Sequence, residues 1–82
     1  DARGAIADYN RALRISPKDA EIYNNRGRAH YSLGKMQAAI SDYNQALQLN
    51  PKLVEVYVNR ANARVDLQDM KGAMSDYNQA LQ

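Results

Sequence analysis

The sequence predicts an all-α protein, an antiparallel helix-hairpin solenoid of five helices in about two and a half repeats. Three observations lead there. The block Gly4 to Leu13 (GAIADYNRAL) returns at Ala38 to Leu47 (AAISDYNQAL) and again at Gly72 to Leu81 (GAMSDYNQAL), with the same interval both times. Self-similarity at a fixed period of this size marks units that bury their apolar faces only against their neighbours. Pro17 and Pro51 are separated by that interval too, and each follows a short polar step, Ser16 or Asn50. A helix has to stop there, because the residue before a proline avoids the helical region. Between these marks apolar residues fall at helical spacing, as in Ile6, Tyr9, Leu13 and Ile40, Tyr43, Leu47, with no strand signal and no linker.

The elements follow in order. A first helix near 2–15 forms the second half of a partial repeat over 1–19. Asp19 can accept a hydrogen bond from the first free amides of the next helix, near 20–33. Gly34 then reads as a C-cap in the left-handed region, which glycine enters without steric cost. The third helix, near 37–49, runs to Asn50 and closes a full repeat over 20–53. Lys52 and Leu53 give the fourth helix, near 54–67, no good N-cap. At the next turn Gln68 stands where Gly34 stood, so the turn is either forced on Gln68 at some cost or made by Asp69. The last helix, near 71–81, makes 54–82 a nearly full repeat, and the whole of 1–82 is one array.

Composition excludes more than it identifies. A chain of 82 residues has room for one domain, and at this length only about 60% of the unfolded surface is buried. There is no cysteine, so no disulfide, zinc-thiolate or redox centre is available, and thiols leave the compartment open. A cytoplasmic setting is the expectation for the segment as given. No apolar run approaches the roughly 18 residues that span a bilayer, and no membrane partner is expected. The net charge of +2 is mild, and Arg3, Arg11, Arg14, Lys18, Arg26 and Arg28 are interleaved with Asp8, Asp19 and Glu21. A phosphate-tracking face does not alternate in sign this way, so no nucleic-acid partner is expected. His30 and Ser32 face different sides of a helix and have no orienting acid, and one histidine among scattered aspartates makes no metal site. No catalytic residue, metal or cofactor is expected.

Tyr23-x2-Arg26-Gly27-x2-His30, then Ala39-x3-Tyr43-x2-Ala46, then Pro51 resembles the tetratricopeptide repeat, a helix–turn–helix unit of the same period. Tyr57-x2-Arg60-Ala61-x2-Arg64 with Ala73-x3-Tyr77-x2-Ala80 repeats the pattern, and Ala5, Tyr9, Ala12 and Pro17 supply half of it once more. The resemblance implies a right-handed superhelix and a non-catalytic protein–protein interaction scaffold. Gly27 and Ala39 are then the small residues that let the helices of one hairpin approach, with Tyr43 and Tyr23 filling the space around them.

Arg26 and Arg60 depart from the family, which usually carries leucine there. A guanidinium in a half-buried slot needs a carboxylate. Asp42 follows Arg26, and Asp76 follows Arg60, at one and the same spacing on the second helix of the same hairpin. They predict the ion pairs Arg26–Asp42 and Arg60–Asp76. Asp8 is then either free or paired across the repeat boundary. Arg64 is expected to lay its stem on the core and keep its head in water. His30 is expected to be a satisfied boundary residue.

The resemblance places a partner on the first helix of each repeat, where a polar stripe lines the concave face. Helical steps give Glu21, Asn24, Arg28, Tyr31 and Ser32 on one repeat and Glu55, Val58, Asn62, Val65 and Asp66 on the next. Tyr31 alone among the tyrosines is not locked to the repeat, since its counterpart is Val65, and it is a candidate aromatic anchor. Asn25 and Asn59 form a second candidate feature, because an amide can both donate to and accept from a peptide bond. Alternatively, each satisfies a carbonyl on a neighbouring helix. The family's clamp for chaperone tails ending in Glu-Glu-Val-Asp wants a lysine where this chain has Asn24, so that clamp is incomplete.

The expected function is capture of a protein or peptide ligand, an extended segment or a partner helix, in this groove. Ile6, Tyr9 and Leu13 at one end and Met74, Tyr77 and Leu81 at the other are expected to be partly bare. They predict either a segment of a longer array or a homo-oligomer joined through terminal helices.

Overall fold

The computed structural model describes residues 1–82 and contains five α-helices: α1 (Ala2–Ile15), α2 (Ala20–Ser32), α3 (Met36–Leu49), α4 (Val54–Asp66) and α5 (Met70–Ala80). Helices α2 to α5 differ from the expected spans by a single residue at one or both ends. A shift by one repeat carries the bounds of α1 onto α3 and those of α2 onto α4. Helix α2 packs against α3 and α4 against α5 as hairpins; α1 packs on α2, α3 on α4, and α2 touches α4 lightly. The molecule measures 34 × 25 × 15 Å. No helix is long and apolar enough to cross a membrane.

The turns follow from side-chain chemistry. At the end of α2 the amide of Lys35 donates to the carbonyl of His30 (2.9 Å) and that of Gly34 to Tyr31 (2.9 Å), with Gly34 at φ 75°. This pair of bonds is the Schellman closure that satisfies the last carbonyls of a helix. After α4 the same closure recurs, Asp69 donating to Arg64 (2.8 Å) and Gln68 to Val65 (2.9 Å). Gln68 itself takes the left-handed conformation, at φ 63°, and Asp69 does not. Asp69 instead caps α5, its carboxylate accepting from the amide of Gly72 (3.0 Å). A Cβ on Gly72 would collide with that carboxylate, so the bare α-carbon is what admits the cap. Asp19 caps α2 by accepting from the amide of Glu21 (3.0 Å), whereas Leu53 gives α4 no side-chain cap.

The core is thin. Only 14 of 82 residues are buried, and the central cluster is Ala39, Tyr43, Ala46, Leu47, Val56 and Ala63. Alanines at the helix crossings allow close approach, and Tyr43 supplies the bulk. A Cβ on Gly27 would lie 2.6 Å from Cε1 of Tyr43 and 3.2 Å from the carbonyl oxygen of Ala39. Tyr43 is 1% exposed, but its repeat counterparts Tyr9 and Tyr77 are only half-buried, because each lacks one of the helices that enclose Tyr43.

Candidate functional site

Polar contacts at the helix crossings decide which side chains remain for a partner. Arg26 on α2 donates from Nε to Oδ2 of Asp42 (3.0 Å) and from Nη2 to Oδ1 (2.7 Å), a bidentate clasp onto α3. Its remaining nitrogen, Nη1, donates to Oδ1 of Asn10 on α1 (2.9 Å). One repeat on, Arg60 makes the same bonds to Asp76 (2.9 and 2.7 Å) and to Asn44 (2.8 Å). Tyr23 and Tyr57 lie beside these guanidinium groups, at 5.5 and 5.6 Å from ring centre to carbon. Bidentate geometry and the ring satisfy a cation that is largely out of water. Hydrogen bonding to Asp42 holds Arg26 above the ordinary guanidinium pKa against the opposing effect of burial.

Several expectations are corrected here. Arg64 does not keep its head in water: Nη1 donates to Oδ2 of Asp76 (2.7 Å). A carboxylate has about four lone-pair sites, so Asp76 accommodates two arginines. His30, in the equivalent slot, brings Nε2 only to 3.7 Å from Asp42, and its buried Nδ1 has no hydrogen-bond partner. It is therefore not the satisfied boundary residue expected. Asp8 is neither free nor paired across the boundary; it binds Arg11 one turn further along the exposed face of α1. Asn10 and Asn44 were not foreseen, though the signal exists: each precedes an arginine by the interval that separates that arginine from its aspartate.

The polar stripe divides in the same way. Asn24 is 1% exposed and accepts a hydrogen bond from Nδ2 of Asn59 (3.0 Å), tying α2 to α4. It is not a groove residue, because a wheel of one helix does not show which face its neighbour covers. A cleft of about 490 Å³ opens between α1, α2 and α4, and from the stripe it is lined by Asn25, Arg28, Tyr31, Ser32, Asn59 and Asn62. Helix α1 adds Ala2, Ala5 and Tyr9, and Tyr43 forms part of the floor. Glu21, Glu55, Val58, Val65 and Asp66 lie outside this cleft, and Glu21 borders a second depression at the turn between α1 and α2.

The cleft is mixed in character. Arg28 and Asn62 are exposed within it, while Asn25, Tyr31 and Asn59 are half-buried. The hydroxyl of Tyr77 donates to Oδ1 of Asn62 and so turns the Asn62 amide nitrogen outward from that contact. Asp66 beside Tyr31 raises the phenol's pKa, with burial adding to the effect. Burial pushes Tyr43 up to about 12, against the opposing field of Arg28. These phenols are neutral at physiological pH, leaving Arg28 as the formal charge among the stripe residues that line the cleft. The arrangement offers amide donors and acceptors, the Arg28 guanidinium and aromatic rings, with Asp1 at its α1 end.

Comparison with known proteins gives the same picture of the fold. Profiles described as tetratricopeptide repeat match residues 20–53 and 54–82, and one described as TPR repeat matches residues 3–34. The Hsp70-Hsp90 organizing protein of Triticum aestivum is 50% identical over 32 residues, 39% of this chain and 6% of the relative. Among solved structures, the first TPR of Spaghetti (RPAP3), bound to the HSP90 peptide SRMEEVD, superposes with a TM-score of 0.95 at 32% identity. That match covers 98% of this chain and 64% of the other. The TPR domain of Arabidopsis OM64 gives 0.95 at 31% identity over 98% and 66% of the two chains. The TPR2B domain of yeast Sti1, in complex with pHsp70, gives 0.95 at 29% identity over 98% and 64%. The chain thus spans about two thirds of these solved chains and a small part of the curated relative. With the constant repeat period and profile matches running from position 3 to position 82, the chain belongs to the tetratricopeptide repeat family.

Proposed function

We propose that this chain is a non-catalytic protein-interaction module that holds a peptide or helical segment of a partner in the cleft between α1, α2 and α4. The observation that carries this reading is the convergence of Asn25, Arg28, Tyr31 and Asn62 on one open cleft, while Asn24, Arg26, Arg60 and Arg64 are committed to contacts between helices. Asn25 and Asn62 supply amide groups for a partner's backbone, Arg28 a cation, and Tyr31 a flat apolar surface. Asn59 contributes less, since its amide already donates to Asn24.

Structural neighbours bound to an HSP90 peptide and to pHsp70 support a protein ligand. With Asn24 buried and Arg28 the one guanidinium in the cleft, a chaperone tail gains a single charged contact here. An interface of this size is at the small end, so affinity is expected on the order of micromolar. Panning a displayed peptide library that includes SRMEEVD tests the reading. Enriched peptides are expected to lose binding to the Arg28→Ala and Tyr31→Ala variants. Enrichment indifferent to both would move the site elsewhere.

A further inference from the structure

Past their first turns, α2 and α4 carry six basic or acidic side chains between them. Arg26, His30, Arg60 and Arg64 are turned to aspartates of α3 and α5. Arg28 and Asp66 are left, one on each helix, exposed, opposite in sign and without an ion-pair partner. Arg28 lines the cleft. Asp66 stands at its margin, one turn beyond the lining residue Asn62 and beside the half-buried ring of Tyr31. The openness of this pair is a property of the repeat. Asn62 stays exposed although α2 packs on α4, and Arg28 and Ser32 stay exposed although α4 packs on α2. Asn62 is the repeat equivalent of Arg28, and Asp66 that of Ser32. A further unit on either side therefore leaves these positions uncovered. Arg28 and Asp66 are offset by one helical turn, about 6 Å, on neighbouring helices about 10 Å apart. The two charges are then on the order of 11 Å from one another, about three or four residues of an extended chain at roughly 3.3 Å each.

We infer that the cleft selects an extended partner segment carrying an acidic and a basic side chain about three or four residues apart. The partner's carboxylate meets Arg28, its cation meets Asp66, and a side chain between them rests on Tyr31. A cation at Asp66 also comes within reach of the Tyr31 ring, whose face attracts it. An all-acidic segment satisfies Arg28 but brings another carboxylate toward Asp66, and an all-basic segment fails at Arg28 in the same way. The opposed charges thus discriminate by rejection as well as by attraction. Both contacts are exposed to water, so each is modest and is screened by salt. The inference rests on the cleft being the partner site and adds the charge pattern of what enters it.

The test pans a displayed library of random peptides against the intact chain at low salt. The enriched peptides are then labelled and titrated with the chain and its variants by fluorescence polarisation. They are expected to carry both charges at a constant separation. Asp66→Ala in the chain, or loss of the base from the peptide, is expected to weaken binding about fivefold, and the two together no further. Arg28→Ala and loss of the peptide's acid are expected to couple in the same way, and high salt to erase both couplings. Arg28 and Asp66 are exposed, so circular dichroism is expected to show both variants folded. Asp1 also borders the cleft. If Asp1→Ala abolishes the preference for a base and Asp66→Ala does not, the assignment to Asp66 is overturned. Peptides that depend on Arg28 and Tyr31 but carry no base, or whose base is indifferent to Asp66, overturn this inference and leave the proposed function standing. If nothing is enriched, or if binding ignores both Arg28 and Tyr31, both fall. A concentration-dependent dimer of the chain that Asp66→Ala dissociates makes the occupant a second copy and overturns the inference as well.

Discussion

In the hairpin of α2 and α3, Asp42 takes one arginine and faces a histidine; in the hairpin of α4 and α5, Asp76 takes two arginines. The first hairpin has Gly27 at the crossing and Gly34 at the turn, the second Ala61 and Gln68. Asn24 links the first to its neighbour, and Val58 stands in that slot in the second. The two share a backbone, an arginine–aspartate clasp and the tyrosine and asparagine that flank it, and differ at the crossing, the turn, the His30/Arg64 slot and the Asn24/Val58 slot. The clasp is the constant around which helix approach, turn and secondary contacts are adjusted. Four measurements break or sharpen that contrast.

The largest effect is expected from removing a carboxylate. Asp42→Ala leaves Arg26 half-buried without its partner, and losses of about 3 kcal/mol or more follow when one half of a buried pair is deleted. Asp76→Ala is expected to cost more than Asp42→Ala, since it strands Arg60 and Arg64 together. Urea denaturation of both variants decides this, and equal midpoints would remove the distinction between the hairpins.

Alkaline titration is expected to give the next largest effect. Tyr43 ionises near 12 when folded, whereas an unfolded tyrosine ionises near 10. The unfolded state therefore sheds this proton first, and stability falls as pH rises from about 10 to about 12 by roughly 2–3 kcal/mol. Below about 10 the contribution is complete. Tyr43→Phe, followed by denaturation across this range, is expected to flatten the dependence.

Third comes the crossing. Gly27→Ala places a Cβ 2.6 Å from the Tyr43 ring, and overpacking of this kind costs about 1–3 kcal/mol. At the equivalent place in the second hairpin Ala61 is already accommodated, opposite a half-buried Tyr77. The double variant Gly27→Ala with Tyr43→Phe tests whether ring position or ring size is responsible: if the ring must shift bodily, the cost remains. The smallest effect is expected at the second turn. Gln68 holds φ 63°, so Gln68→Gly is expected to raise stability by about 1 kcal/mol, and Gly34→Gln to lower it by a similar amount. Thermal melts of the two variants check the opposite signs.

The fold was legible because its information is periodic. Each helix is too short to specify itself strongly, but three copies of one block leave a single stacking arrangement consistent with all of them. The sequence also displays the separation that places Arg26 opposite Asp42, and repeats it one period later at Arg60 and Asp76. The asparagines of the first two DYN blocks precede the same arginines by an equal step, and that signal was just as available. Other contacts were hidden by non-repetition. His30 and Arg64 share a slot, so neither advertised what the slot faces, and the reach of an arginine to Asp76 is a matter of side-chain length. The candidate site was less legible still. A wheel sorts residues around one helix, but Asn24 and Asn25 are neighbours whose fates differ because α4 covers the first and not the second.

The link from Asn10 through Arg26 to Asp42, continued in kind from Asn44 through Arg60 to Asp76, bears on how the molecule comes apart. Each guanidinium binds the preceding unit with one nitrogen and its own hairpin with two others. One side chain thus contributes both to holding a unit together and to coupling it to its neighbour, alongside the Asn24–Asn59 bond and the shared core of α3 and α4. A linear array of that kind gains little by fraying one unit at a time, since peeling a terminal hairpin away also loosens the next. Such an array is expected to melt more cooperatively than one whose units share no side chain.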